Sequence, residues 1–428
     1  MSKQISAGLA LLILLCLGTG IFLPKGQAQT GAATNSPHAS LVATTAAVLK
    51  ETSEVRELSI LKAVKSGAQS RAQIERMIIK NLDAETTPAE MHAAEVVLRV
   101  FGLAPKEFAF RSFLIKLLTE QVAGYYDPKA QQFFLADWIE LEGQKPVMAH
   151  ELTHALQDQH FNLKRFENWP KGDSDAELAA HALIEGDATL AMTLYMAKNP
   201  LVALAFIRSL GAQEAATEQF KQAPRALRES LLFPYEEGSA WATQLYKRGG
   251  WELVSHAFSK LPQSSEQILH AEKYFSYEAP QKLTLPDFKS VLGPAWKRIE
   301  YDVNGEWGCL LILGEFLDAA EAKQASAGWG GDRFALYETD KGDEFFVVQL
   351  TAWDTPLDAR EFFDAYAKRV SKRYPDAKES KATDDRIEWQ TSSGGVALEL
   401  HGSRVAIVEG VPASKDTDKL LSSIWQQK

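Results

Sequence analysis

His150, Glu151 and His154 are the residues of this chain whose types and spacing could do hydrolytic chemistry. In a helix, positions i and i+4 share a face, so the two imidazoles of His150-Glu151-Leu152-Thr153-His154 can point at one ion. Glu151 follows the first histidine directly, where it can reach a water at that ion and take its proton. Histidine is scarce, with nine in 428 residues, so two at helical spacing around a glutamate stand out from the composition. Pro146 marks a helix start, and Val147-Met148-Ala149 and Ala155-Leu156 give that helix an apolar stripe. The competing reading is an amphipathic helix carrying two surface histidines. Two imidazoles and a carboxylate suit zinc, one ion per chain, although other divalent metals compete for the same donors.

A catalytic zinc takes a third protein ligand and keeps one position open. His160 lies six residues after His154, where metzincins place their third histidine. The glycine that turns the chain in that pattern is replaced here by Gln157, and a helix that simply continues carries His160 off the ligand face. Glu185 is the better candidate. Ser174-Asp175-Ala176-Glu177 reads as a capping box opening a helix to about Asn199, with Glu177 reaching back to the Ser174 N–H. Glu185 then sits two turns on, among Ala179, Ala180, Ala182 and Gly186, small residues that let a second helix approach closely. Gly186 in mid-helix costs about 1 kcal/mol against alanine and needs a packing or functional reason. His181, one turn before Glu185, either supports the site or faces solvent.

These residues, His150-Glu151-x-x-His154 and then, with thirty residues between His154 and Glu185, Leu183-Ile184-Glu185-Gly186-Asp187-Ala188, resemble the gluzincin clan of zinc metallopeptidases. The resemblance covers residues 120–200 and, more loosely, 50–280. It implies His150, His154 and Glu185 as zinc ligands and Glu151 as the general base. Many gluzincins carry an aspartate four residues after the glutamate to support the first histidine; here that position is Thr189, and Asp187 is off by half a turn. Clan members also place an edge strand beside the metal helix, where extended peptide pairs with it. Ala123 to Ala136 reads as an aromatic hairpin turning at Asp127-Pro128, in the matching order. Downstream Tyr and His residues stabilise the developing oxyanion in thermolysin-like gluzincins, which makes Tyr235 and His270 candidates here; no spacing ties either to the metal.

The elements that must position these residues follow from punctuation and periodicity. Residues 1–28 read as a signal peptide: Lys3, an apolar run from Ile5 to Leu23, Pro24, and cleavage after Ala28. An uncleaved anchor is the alternative, and the only expected membrane contact. Residues 29–48 read as a flexible lead-in, Leu58–Val64 as an early strand, and Ser70 and Thr87-Pro88 as starts of helices ending near Leu82 and Gly102. A helix is expected from about Lys106 to Val122, and further helices follow Pro200, with a break at Gly249-Gly250.

From about Leu283 strands alternate, with helices expected after Thr355-Pro356 and from Asp416. The expected fold is α+β: a mainly helical zincin-like metallopeptidase domain with a small sheet over 49–282, then a smaller α+β domain of unknown role over 283–428. That second module carries no cluster of metal-type residues.

A net charge of −10 without a basic run argues against nucleic-acid binding. Removal of the signal leaves Cys309 alone, and no glycosylation sequon occurs, which fits a bacterial periplasmic or secreted protein. The expected activity is cleavage of peptide or protein substrates. Hydrolysis of a non-peptide bond, or a non-catalytic binding protein with a vestigial metal site, are the rivals. Oligomeric state is not legible.

Overall fold

The computed structural model describes residues 37–138, 141–166, 169–211 and 218–426. The expected signal segment lies outside the described residues. Among them, no single helix is long and apolar enough to cross a membrane.

The first part is helical with a small sheet. Its elements are α1 (Pro37–Arg56), β1 (Lys65–Gln69), α2 (Arg71–Glu85), α3 (Pro88–Val100), α4 (Phe110–Gln121), β2 (Gly124–Asp127), β3 (Gln132–Ala136), α5 (Lys145–Phe161), α6 (Ser174–Lys198), α7 (Pro200–Gly211) and α8 (Arg225–Ala257). Local chemistry accounts for several starts. The Thr87 N–H donates to Glu90 Oε2 at 2.7 Å while Glu90 N–H returns to Thr87 Oγ1 at 3.3 Å, closing a capping box with Pro88 in the first turn of α3. Asn162 ends α5 in the left-handed region at φ 56°. Gly249 and Gly250 break α8, the latter at φ 62°.

Three expectations are corrected. The lead-in over 29–48 overlaps α1, whose Leu41, Thr45, Val48 and Thr52 are buried at helical spacing; its Ala- and Thr-rich composition disguised a packed face. The early strand expected at Leu58–Val64 lies instead at Lys65–Gln69. The cap of α6 is Asp173, which accepts from Ala176 N–H, and the Ser174 N–H goes to Asp302 Oδ1 at 2.8 Å rather than to Glu177.

β1, β3 and β2 form a three-stranded sheet in that order, β1 parallel and β2 antiparallel to β3, so β2 is an edge. The second part contains β4 (Trp296–Asp302), α9 (Gly305–Gly314), α10 (Ala319–Ser326), β5 (Trp329–Thr339), β6 (Phe345–Trp353), α11 (Pro356–Arg373), β7 (Lys378–Thr383), β8 (Arg386–Thr391), β9 (Gly394–His401), β10 (Arg404–Val411) and α12 (Thr417–Trp425). Its strands make a seven-stranded antiparallel sheet, β4-β5-β6-β10-β9-β8-β7. Side chains alternate across it. Val405 and Ile407 enter one core under α9 and α11, and Ala406 and Val408 enter another under α12. The first of these cores also takes Val96 from α3, together with Phe101 and Leu103, so apolar packing joins the two parts. The α+β architecture agrees with the expected fold class.

Candidate metal centre

α5 carries His150, Glu151 and His154 in its buried middle, each about 3% exposed. α6 crosses beside it and brings in Glu185, which is fully buried. His150 Nε2 lies 3.1 Å from Glu185 Oε2 and 3.1 Å from His154 Nε2, and His154 Nε2 lies 3.4 Å from that same carboxylate oxygen. Zinc held at about 2.0–2.1 Å by tetrahedral ligands has ligand atoms about 3.3 Å apart. The three atoms therefore surround a space of the right size. Glu185 Oε1 is buried and has no hydrogen-bond partner, an arrangement that leaves acceptor capacity for a cation.

The small residues around Glu185 do the work of approach. A Cβ on Gly186 would lie 2.2 Å from the Gly238 carbonyl oxygen of α8, and a Cβ on Gly238 would lie 2.3 Å from the Ala182 oxygen. Gly186 is thus explained by packing: α6 and α8 touch backbone to backbone just beside the ligand.

His154 is oriented through its other nitrogen. With Nε2 turned to the cluster, Nδ1–H donates to Gln157 Oε1 at 2.9 Å. Gln157 Nε2 in turn donates to Asp187 Oδ2 at 2.9 Å and to the Ile184 carbonyl at 3.0 Å. Asp187 Oδ1 accepts from Arg56 Nε at 2.5 Å, and the Arg56 guanidinium lies over the Trp251 ring. Through Gln157, Asp187 is thus linked to His154, the second histidine, rather than to the first. Thr189 Oγ1, in the position of the usual supporting aspartate, makes no hydrogen bond.

Glu151 Oε2 accepts the Tyr126 N–H at 3.0 Å, which fixes edge strand β2 against α5. Burial pushes the Glu151 carboxyl up to about 8, and a nearby cation would favour its charged, proton-accepting form. Burial also pulls His150 down, with His154 adding to the effect. For His154 burial acts the same way but the Glu185 carboxylate prevails and raises it to about 9. Burial raises Glu185, yet the two imidazoles hold it down at about 2.

Tyr235, next to Pro234 inside α8, stacks on His150 with ring centroids 5.9 Å apart. His270 instead pairs its Nε2 with Glu306 Oε1 at 2.9 Å. His160 Nε2 bonds the Ser59 carbonyl at 2.7 Å, so Glu185 rather than His160 joins the histidine pair. His181 is buried, not solvent-facing, and desolvation lowers it to about 4. A second acidic group, Glu266, Glu278 and Asp354, already encloses a cation: Lys273 Nζ lies 2.6, 3.0 and 2.5 Å from the three carboxylates.

Residues 292–421 match a family described as a domain of unknown function (DUF8575). No curated protein and no solved structure matches the chain. The helical part holding the cluster lies outside that match, and its function has to be argued from its own residues.

Proposed function

We propose that the chain is a zinc-dependent hydrolase of gluzincin type that cleaves peptide bonds. The observation that carries this reading is the convergence of His150, His154 and Glu185 at 3.1–3.4 Å, with Glu151 buried beside them. A structural site has no need of a base, and the burial of Glu151 beside the cluster supports that role for it. A bound zinc ion supplies Lewis-acid activation of a carbonyl and of a water.

The chain's own residues do the rest. Glu151, steered by the Tyr126 N–H, takes the proton of the attacking water and returns it to the leaving amine. Tyr235 packs against His150, which keeps it as the candidate for stabilising the developing oxyanion. Gln157, Asp187 and Arg56 hold His154 in its tautomer and orientation. Edge strand β2 beside α5 favours an extended peptide as substrate, since an edge offers main-chain groups for pairing. The N-terminal apolar run supports export.

The test is zinc stoichiometry by elemental analysis on wild type and Glu185→Ala, with product analysis on a peptide library. About one zinc per chain, lost in the variant, and cleaved peptides are expected. Absence of zinc from the reconstituted wild type sinks the reading.

A further inference from the structure

One turn of α6 before Glu185, His181 lines a second space. A partly open cavity of about 240 Å³ lies between α3, the first turns of α6, α8, and the β4–α9 corner of the second part. We propose that this cavity binds the side chain of an arginine or lysine in the substrate, and that the second part of the chain supplies its acidic end. The word substrate rests on the hydrolase reading above; the recognition of the side chain does not.

Size comes first. Sites for drug-sized ligands run to about 300–1,000 Å³, so this space suits one long side chain rather than a cofactor. The walls divide in character. Ala94, Val97, Leu227 and Leu311 form an apolar sleeve of the kind an aliphatic stem covers, while Glu177 and Glu300 stand at the polar end with no lysine or arginine in the lining.

Not every carboxylate there asks for a ligand. Asp302 accepts the Ser174 N–H, and Asp175 accepts the Ser265 N–H. Glu300 is different. It is 5% exposed, accepts the adjacent Tyr301 N–H at Oε1, and is pushed up to about 7 by burial, so an incoming cation would stabilise its charged form. Lys171 bonds Glu90 while its charge also acts on Glu300, and Arg333 bonds the Gly172 and Leu283 carbonyls.

One buried acceptor calls for a hydrogen-bond donor. His181 is 1% exposed, lines the cavity, and its Nδ1 has no partner among the described residues. Held neutral by burial, it can accept a proton-bearing group there. A guanidinium or ammonium on an aliphatic stem offers donors for His181 and a charge for Glu300.

The placement suits a neighbouring subsite. His181 precedes Glu185 by four residues, about 6 Å along the helix, and Ser230 precedes Tyr235 by five on α8. The same two helices therefore line the metal cluster and the cavity. An extended peptide advances about 3.3 Å per residue, so a side chain next to the scissile bond spans that separation.

The experiment uses the full chain carrying Glu151→Gln, so that nothing is cleaved, with and without a chelator. N-acetylarginine amide and N-acetylnorleucine amide are titrated by calorimetry. The arginine probe should bind at least about tenfold tighter, with or without metal, and Glu300→Gln should remove that preference. Ala94→Phe, which fills the sleeve, should abolish binding of both probes while near-ultraviolet circular dichroism stays native. Equal affinity for the two probes, or an unchanged preference in Glu300→Gln, overturns the pocket. Zinc binding without arginine preference defeats the pocket alone, whereas arginine binding without zinc defeats the hydrolase reading alone.

Discussion

Two buried glutamates sit in the two parts of this molecule with the same nominal charge and nearly the same exposure. Glu409, on β10, has both oxygens fully engaged. Oε1 accepts from Arg373 Nη1 at 2.6 Å and the Tyr374 hydroxyl at 2.9 Å; Oε2 accepts from the Tyr366 hydroxyl at 2.6 Å and Arg369 Nη1 at 3.0 Å. Among the described residues, no arginine or lysine forms an ion pair with Glu185. One oxygen is shared by two imidazoles, and the other has no partner. A satisfied buried ion pair gives geometry, while a half-satisfied carboxylate held among histidines is costly unless a cation arrives. Glu409 also anchors the arginines that reach the carbonyl end of α3: Arg369 bonds the Phe101 carbonyl at 2.6 Å and Arg373 the Val100 carbonyl at 2.5 Å. One cluster joins the two parts of the chain; the other could hold a metal ion.

The largest effect expected from breaking this contrast is on rate. Glu151→Gln keeps the shape and loses the base, so peptide hydrolysis should fall by about 10²–10⁴-fold while zinc content and melting temperature hold. Steady-state rates beside elemental analysis read both at once. Surviving hydrolysis would remove Glu151 from the mechanism.

Next comes stability. Glu409→Ala strands Arg369 in the core and should cost about 3–5 kcal/mol by denaturant unfolding, with zinc per folded chain unchanged. Glu185→Ala should show the reverse pattern: zinc is lost and the metal-free protein holds its stability far better. If both variants behave alike, the two glutamates have the same role and the comparison collapses.

The metal cluster itself was legible because helical spacing is a local property. His150 and His154 declare a shared face four residues apart, and Glu185 was recognisable from its small neighbours and the Glu-Gly pair. What supports them was not legible. Gln157 drew notice only as the residue standing where a glycine would turn the chain, and Asp187 as half a turn out of place. Their link to Arg56 joins positions 131 apart, which no periodicity encodes. The cap of α6 failed for a related reason: Ser174 satisfied the local pattern, but Asp302 from the distant β4 took its N–H. Among the strands, β7 was missed because all six of its residues are exposed at the sheet edge, so no buried alternation marks it. α9 was missed inside a stretch whose texture reads as strand.

A smaller effect should expose that hidden support. Gln157→Leu keeps the volume but cuts the bridge from His154 to Asp187, and zinc affinity should weaken by about 10–100-fold with the fold retained. Competition against a chromogenic chelator measures it. An unchanged affinity would mean that His154 is oriented by packing alone.

The smallest expected effect is a pH slope, and it belongs to Glu409. Burial raises this carboxyl, but Arg369 and Arg373 overcome that and hold it at about 2, below the ordinary 4.5. A depressed carboxyl contributes stability above its unfolded pKa and loses it as pH falls through the folded one. Between pH 5 and 3.5 the loss attributable to Glu409 is about 1 kcal/mol, since most of its window lies lower still. The wild type should therefore lose about that much more stability over this interval than Glu409→Gln, measured by urea unfolding at each pH on metal-free protein. Glu185 titrates in the same window, which is why the slope must be read as a difference between two chains that both retain it. Equal slopes would mean that a neutral carboxyl serves the arginines as well as a charged one.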